Sequence, residues 1–180
     1  MLALATQTAD IPTAKIGGLT PLSDKMGRAA SERQRRELGR ERARGAMAMA
    51  LTFRQMVAEA RRDVAGVGPA EARRRIQEHP NMLVIDVQDP EDMRACGLIP
   101  GAINISLGML PIRADHELHE ALRAPQLHDF SRPILVTCGI GGQATLAAQL
   151  LKRMGYTDVI FLEGGTAAWK AQGFAVQRPA

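Results

Sequence analysis

The chain has 180 residues and an apolar fraction of 46%, which is enough for one domain built around a single buried core. Its net charge of +4 comes from residues 1–50, which hold 9 Lys/Arg against 5 Asp/Glu, whereas residues 51–180 hold 14 of each. The 2 cysteines are too few for a secreted disulfide scaffold, and no apolar run has the length of a membrane-spanning helix, so we expect a cytoplasmic protein without a membrane partner.

Residues 1–50 are predicted to be a basic, disordered N-terminal extension. Residues 1–30 show no clear period, and the segment SERQRRELGRERARG that follows is rich in arginine and nearly free of apolar residues. Such a segment suits an anionic partner, but no aromatic residues are interleaved that would stack on bases. We therefore expect a solvated, partly helical tail and no nucleic-acid partner.

Residues 51–180 are predicted to form one domain with a leading helix at 52–63, in which Thr52 is the N-cap. Further helices are predicted for GPAEARRRIQEHP, PEDMRAC, ADHELHEALRA, GQATLAAQLLKRMG and GTAAWKAQG. Strands are predicted for MLVIDVQ, AINIS, ILVTC and DVIFLE. Because strands and helices alternate, we expect an α/β fold with a central, mainly parallel sheet and helices on both faces.

The stretch ILVTCGIGGQAT places Cys138 where a strand ends and a helix is about to begin. Glycines at 139, 141 and 142 let the backbone curl tightly, and the first N–H groups of the next helix then point at one spot. This arrangement suits an anion or a thiolate. We predict that Cys138 is a nucleophile able to carry a sulfur atom as a persulfide.

Two other interpretations of this stretch are open. The residues Gly139 to Ala144 also fit the dinucleotide fingerprint G-x-G-x-x-A, with Glu163 ending the next strand. Only 17 residues follow Glu163, however, which is too few for the remaining strands of such a domain. A buried structural cysteine is the second interpretation; it accounts for Cys138 but leaves the three glycines unexplained.

Three motifs in order resemble a single rhodanese domain over residues 67–177: VIDVQDPEDMRACGLIPGAINI, the Cys138 loop, and FLEGGTAAWKAQGF. The resemblance implies a rhodanese-like fold and sulfur transfer, with Cys138 taking a sulfane sulfur from thiosulfate or a persulfide. The sulfur then passes to a thiol or other acceptor, including a protein acceptor, and no metal or organic cofactor is needed. The substrate is expected to contact Gly139, Ile140, Gly141, Gly142, Gln143 and Ala144.

The main departure from the family pattern is Gln143, where many rhodanese loops carry an arginine; Gln88 likewise stands where an arginine is common. A neutral amide cannot offset the charge of thiosulfate, so we expect slow thiosulfate turnover or a preference for less charged donors. The loop is also one residue shorter than in the phosphatase relatives of the family, and Gln143 replaces the arginine that would clamp phosphate. The alternative function is therefore a weakly catalytic sulfur carrier or protein-interaction module.

The remaining candidates receive structural interpretations. Cys96 lacks a comparable loop, and pairing with Cys138 as a redox switch would require Cα atoms within about 7 Å. His116 and His119 are spaced i, i+3 rather than i, i+4, so no metal site is expected. Trp169 is expected to anchor the core, and Asp86 to play a structural part at the end of its strand.

Overall fold

The computed structural model describes residues 22–178 of the chain, which divides into two units between Ala50 and Leu51. The first unit contains one described helix, α1 (Leu22–Met49), and every side chain of residues 31–45 is exposed. The predicted disorder of residues 1–21 lies outside the described residues. The extension as a whole, residues 1–50, stays a prediction.

The second unit alternates short strands with helices. Its helices are α2 (Phe53–Ala60), α3 (Pro69–Glu78), α4 (Pro90–Cys96), α5 (Leu110–Arg113), α6 (Gly142–Arg153) and α7 (Gly165–Ala171). Two 3₁₀ turns cover Glu120–Leu122 and Pro125–Leu127. The strands are β1 (Ala65–Val67), β2 (Leu83–Asp86), β3 (Ile103–Asn104), β4 (Ile134–Thr137) and β5 (Val159–Leu162).

The five strands form one sheet in the order β1-β5-β4-β2-β3, and every pair of neighbours is parallel. The register aligns Asp86 at the end of β2 with Thr137 at the end of β4. The loops that follow these two strands therefore leave the same edge of the sheet, where α/β proteins place their ligands.

Helices cover both faces of the sheet, as the sequence predicts. Alternate residues of the strands contribute to two separate cores. One core lies beneath α6 and includes Ile134, Val136 and Cys138. The other lies beneath α3, α4 and α7; it includes Leu135 from the sheet and Trp169 from α7. Cys138 thus continues the alternation of side chains along β4 and lies on the face of the sheet that α6 covers.

Most predicted elements are present, because their local signals agree with the packing. Thr52 closes a capping box with Gln55 at the start of α2, although the helix ends at Ala60 rather than 63. Gly155, with φ 102°, follows the end of α6 as predicted. Trp169 is buried, and its indole N–H donates to the Ala175 carbonyl at 2.9 Å.

Two features differ from the predictions. The predicted helix ADHELHEALRA is wrong: this stretch contains only the 3₁₀ turn at Glu120–Leu122. Asp115 Oδ1 accepts from the Glu117 N–H at 2.8 Å and His119 Nδ1 from the Ala121 N–H at 3.2 Å, and such bonds compete with helix formation. The edge strand β1 has no predicted counterpart, because three residues are too few to show a period.

Within residues 22–178, none of the helices combines the length and the apolar composition needed to cross a bilayer. Over the same residues, no three His, Cys, Asp or Glu side chains gather as a metal ion would require. His116 instead hydrogen-bonds the Leu127 carbonyl through Nε2 at 2.8 Å and stacks on Phe130.

Candidate active site

The Cys138 loop connects the end of β4 to the start of α6. Gly141, the N-cap residue of α6, has φ 94°, a left-handed conformation that favours glycine. A Cβ atom at this position would also lie 3.0 Å from the Gly164 nitrogen. The loop therefore requires glycine here both for its conformation and for its close approach to the start of α7.

The Cys138 sulfur accepts hydrogen bonds from two backbone N–H groups of this loop. The Gly141 nitrogen lies 3.1 Å from Sγ and the Ala144 nitrogen lies 3.4 Å from it. Ala144 lies in the first turn of α6, so its N–H has no partner inside the helix and is free to bind an anion. These two donors stabilise negative charge on the sulfur.

The first turn of α7 holds the other side of the loop. The Thr166 N–H donates to the Cys138 carbonyl at 2.8 Å, and the Ala167 N–H donates to the Gly139 carbonyl at 3.0 Å. Gly164 and Gly165, both with positive φ, bring the backbone close enough for these bonds. The late motif FLEGGTAAW thus fixes the position of the nucleophile loop, a role that its sequence alone does not reveal.

Four of the six predicted substrate residues, Gly139, Ile140, Gly142 and Gln143, line a cavity of about 390 Å³ at the loop. Its walls comprise Phe53, Gln88, Asp92, Cys96, Cys138, Gly139, Ile140, Gly142 and Gln143. Ala144 reaches the sulfur through its N–H, and Gly141 does the same. Cys138 is only 1% exposed and lies at the base of the cavity, whereas Ile140 is 79% exposed.

The walls of this cavity carry no Lys, Arg or His side chain among the described residues, and one carboxylate, that of Asp92. Phe53 reaches over from α2, so close that a Cβ at Gly142 would lie 2.8 Å from its ring. An apolar ring and a neutral amide, that of Gln143, therefore take the place of a cationic anion clamp.

Asp86, the last residue of β2, and Gln88, which lines the cavity, are both buried. Asp86 accepts from the Gln88 N–H at 2.9 Å and from the Gln88 side-chain amide at 3.2 Å. The Gln88 Oε1 atom in turn lies 2.9 Å from where a Cβ at Gly139 would be. Burial raises the pKa of Asp86 to about 6, although the two Gln88 hydrogen bonds act in the opposite direction.

Comparison with known proteins identifies the family. The Rhodanese-like domain family matches residues 68–172, more than half of the chain. The chain belongs to the rhodanese-like domain family. A rhodanese domain-containing protein of Drosophila melanogaster is 28% identical over 96 residues, which are 52% of this chain and 86% of the relative.

Solved structures show the same rhodanese-like fold. The polysulfide-sulfur transferase homodimer of Wolinella succinogenes is 28% identical with a TM-score of 0.56, over 71% of this chain and 88% of its own. A Rhodopseudomonas palustris protein of unknown function, described as a possible tyrosine phosphatase, has a TM-score of 0.66 at 24% identity, over 72% of this chain and 96% of its own. At that identity the second likeness concerns the fold alone.

Four residues of the rhodanese-like site are absent from the predicted set: Phe53, Gln88, Asp92 and Cys96. Asp92 and Cys96 lie four residues apart in α4, on one face of the helix. That spacing, in a helix that directly follows β2 at the functional edge of the sheet, is a signal present in the sequence. Phe53 carries no such signal, since only tertiary packing brings α2 to the loop.

Proposed function

We propose that this protein is a sulfurtransferase that carries a sulfane sulfur as a persulfide on Cys138. The Cys138 thiolate attacks the outer sulfur of a donor R–S–SH, the S–S bond breaks, and the donor thiolate RS⁻ leaves. A thiol acceptor then removes the outer sulfur of the Cys138 persulfide and regenerates the thiolate. The observation that best supports this proposal is that the N–H groups of Gly141 and Ala144 bind Cys138 Sγ at the base of an open cavity.

The charge of the cavity favours an uncharged or weakly charged donor, such as an organic persulfide, over thiosulfate. Thiosulfate is a dianion, whereas the described residues of the cavity walls include the Asp92 carboxylate and no positively charged side chain. Phe53 and Ile140, which are 50% and 79% exposed, give the mouth an apolar surface for the organic group of the donor. We further propose a reducing, cytoplasmic setting, which suits the two unpaired cysteines.

Loading of Cys138 tests the proposal directly. The protein is exposed to inorganic polysulfide or thiosulfate, alkylated, digested and analysed by mass spectrometry. We expect one added sulfur atom on the peptide that contains Cys138, removable by cyanide, and none there in Cys138→Ser. Absence of the adduct with every donor contradicts a sulfurtransferase. An adduct that forms but is not passed to thiols supports the alternative function, a sulfur carrier or interaction module.

Restoring a cation to the loop tests the donor preference. In Gln143→Arg, a charge-assisted hydrogen bond to thiosulfate replaces a neutral one, a gain of about 1.4 kcal/mol that should lower the thiosulfate KM roughly tenfold. Sulfite release measures the effect. Gln126→Arg, outside the cavity, controls for the added charge. An unchanged KM in Gln143→Arg would show that the missing cation does not limit thiosulfate binding.

A phosphatase activity is not proposed. A bidentate arginine clamp is the feature that recognises phosphate in a cysteine-nucleophile loop, and Gln143 occupies that position. The Asp92 carboxylate in the wall adds repulsion for a phosphate dianion.

A further inference from the structure

The cavity above the Cys138 loop contains a second thiol, that of Cys96. Both cysteines line the same space of about 390 Å³, and both are free. Cys96 is the last residue of α4, and it is partly exposed whereas Cys138 is buried. Asp92, one turn earlier on the same face of α4, lines the cavity as well.

A single helix, α7, holds the segments that carry the two thiols. The Thr166 N–H donates to the Cys138 carbonyl at 2.8 Å. Lys170, four residues later, donates through Nζ to the Cys96 carbonyl at 3.1 Å. The backbone at the start of α7 and a side chain one turn later thus contact the main chain of both cysteines.

We propose that Cys96 is the first acceptor of the sulfur carried by Cys138, so that the protein contains a two-thiol relay. This inference rests on the proposed function. The Cys96 thiolate attacks the outer sulfur of the Cys138 persulfide; a new S–S bond forms on Cys96 while the old one breaks. Cys138 leaves as the thiolate, and the proton of the persulfide stays with the transferred sulfur. An external thiolate then removes that sulfur from Cys96 in the same way.

The burial of Cys138 explains why the outer sulfur is the one attacked. Its Sγ atom is held by the N–H groups of Gly141 and Ala144 at the base of the cavity, so the inner sulfur is shielded. The outer sulfur projects into the cavity, where Cys96 lies. The same two N–H groups stabilise the departing Cys138 thiolate, which assists the transfer. Cys96, being more exposed, presents the sulfur to acceptors that are too large to reach the base.

The two thiols can be followed separately, because trypsin places them in different peptides. Cys96 falls in residues 95–113, and Cys138 falls in residues 124–152, since the bond from Arg132 to Pro133 resists cleavage. The full-length protein is loaded with one equivalent of inorganic polysulfide, alkylated at successive times, and digested. In the wild type we expect added sulfur first on the Cys138 peptide and then on the Cys96 peptide, with a transfer rate that does not depend on protein concentration.

The variants distinguish a relay from independent labelling. In Cys138→Ser the Cys96 peptide should gain no sulfur over the same period. In Cys96→Ser the Cys138 peptide should load as in the wild type. Delivery of sulfur to an added protein thiol should slow by roughly tenfold, which corresponds to a barrier about 1.4 kcal/mol higher. Ala95→Ser, the neighbouring position on α4, is the matched control and should deliver sulfur at the wild-type rate.

Several outcomes would overturn the relay. Equal labelling of Cys96 in Cys138→Ser means direct reaction with polysulfide, and undiminished delivery by Cys96→Ser means that Cys96 is a bystander. A cross-linked pair of the two peptides, formed with release of sulfide, means attack on the inner sulfur and a redox pair instead. All of these outcomes are compatible with a persulfide forming on Cys138 in the wild type, and they therefore leave the proposed function standing. Absence of sulfur from Cys138 in the wild type and in Cys96→Ser contradicts the proposed function itself.

Discussion

The Asp86 side chain is buried at the end of β2, and neutral amide groups are the hydrogen-bond donors to its carboxyl. The backbone and side-chain N–H groups of Gln88 contact its two oxygens at 2.9 and 3.2 Å. Asn104 completes the arrangement by donating through Nδ2 to the Asp86 and Gln88 carbonyls at 3.0 and 2.8 Å. An arginine at position 88 would have balanced the charge. With glutamine there, burial dominates and raises the pKa of Asp86 to about 6.

This raised pKa predicts a pH-dependent loss of stability. Because the folded-state pKa exceeds the ordinary value of 3.8, the protonated carboxyl stabilises the fold fully below about pH 3.8, and this contribution is lost as the pH rises through about 6. The difference between these two pKa values corresponds to roughly 3 kcal/mol in the free energy of unfolding. Urea unfolding should therefore show the wild type losing stability relative to Asp86→Asn between about pH 4 and 7.

The exposed carboxyl of Asp129 provides the control for that experiment. A hydrogen bond from the Ser131 hydroxyl lowers the pKa of Asp129, so its contribution to stability is lost only as the pH falls below the ordinary value. Asp129→Asn should therefore parallel the wild type over the tested range. If Asp86→Asn also parallels it, the buried carboxyl does not titrate there and the argument is wrong.

At the scale of elements, the contact between the Cys138 loop and α7 determines the geometry of the nucleophile. Gly165 has φ 58°, and a Cβ on it would overlap the Cys138 carbonyl oxygen and lie 2.8 Å from the Gly139 carbonyl carbon. Neither of these backbone atoms can rotate away as a flexible side chain could. A methyl group at this position must therefore separate α7 from the loop.

We expect Gly165→Ala to destabilise the protein and to reduce sulfur loading of Cys138. The matched control is Gly173→Ala, since Gly173 has φ 75° and nothing within 4 Å of its Cβ position. Both variants incur the left-handed backbone cost of about 1–2 kcal/mol, and Gly165→Ala should cost at least about 2 kcal/mol more because of the overlap. Urea unfolding and persulfide loading measure the two effects. Equal costs would mean that the loop and α7 separate without penalty.

The sequence allowed most of the elements to be predicted, because their signals are local. Thr52 and Gln55 form their capping box within one turn, and the strands β2, β4 and β5 are apolar runs, closed by a polar residue in β2 and β4. Residues 114–128 were not predictable in this way. There Asp115 and His119 bond to nearby backbone N–H groups, and Tyr156 reaches across to donate to the Leu127 carbonyl at 2.7 Å. These contacts replace the helix that the polar pattern predicts.

The residues of the candidate site likewise fall into two groups, those that a local sequence signal predicts and those that tertiary packing places there. Cys138 and its loop follow from the strand, glycine and helix order, so their position is predictable. The wall contributed by Phe53 depends on how α2 packs, and the sequence around Phe53 carries no information about it. Cys96 was expected to be structural because it lacks a loop comparable to that of Cys138, whereas the structure places it on the cavity.

At the scale of the whole molecule, every described residue of the site belongs to the unit that begins at Leu51. Contacts within that unit also hold its leading helix, α2, in place. Gln149 donates to the Asp63 carboxylate at 2.6 Å and Lys152 donates to the Asp63 carbonyl at 3.2 Å, both from α6. Ala60, at the end of α2, is fully buried. We therefore propose that residues 51–180 form the functional domain and that residues 1–50 are an extension.

Truncation tests this division. A chain that starts at Leu51 behind an initiator methionine should unfold at the same urea concentration as the full chain and load Cys138 at the same rate, because it retains Thr52, Phe53 and the packing of α2. A chain that starts at Val64 should lose at least about 2 kcal/mol, since removing α2 uncovers apolar surface on α6. It should also load bulky apolar donors less selectively, because Phe53 no longer limits the mouth of the cavity. If the Leu51 chain instead unfolds at a lower urea concentration, residues 1–50 contribute to the domain and the proposed boundary is wrong.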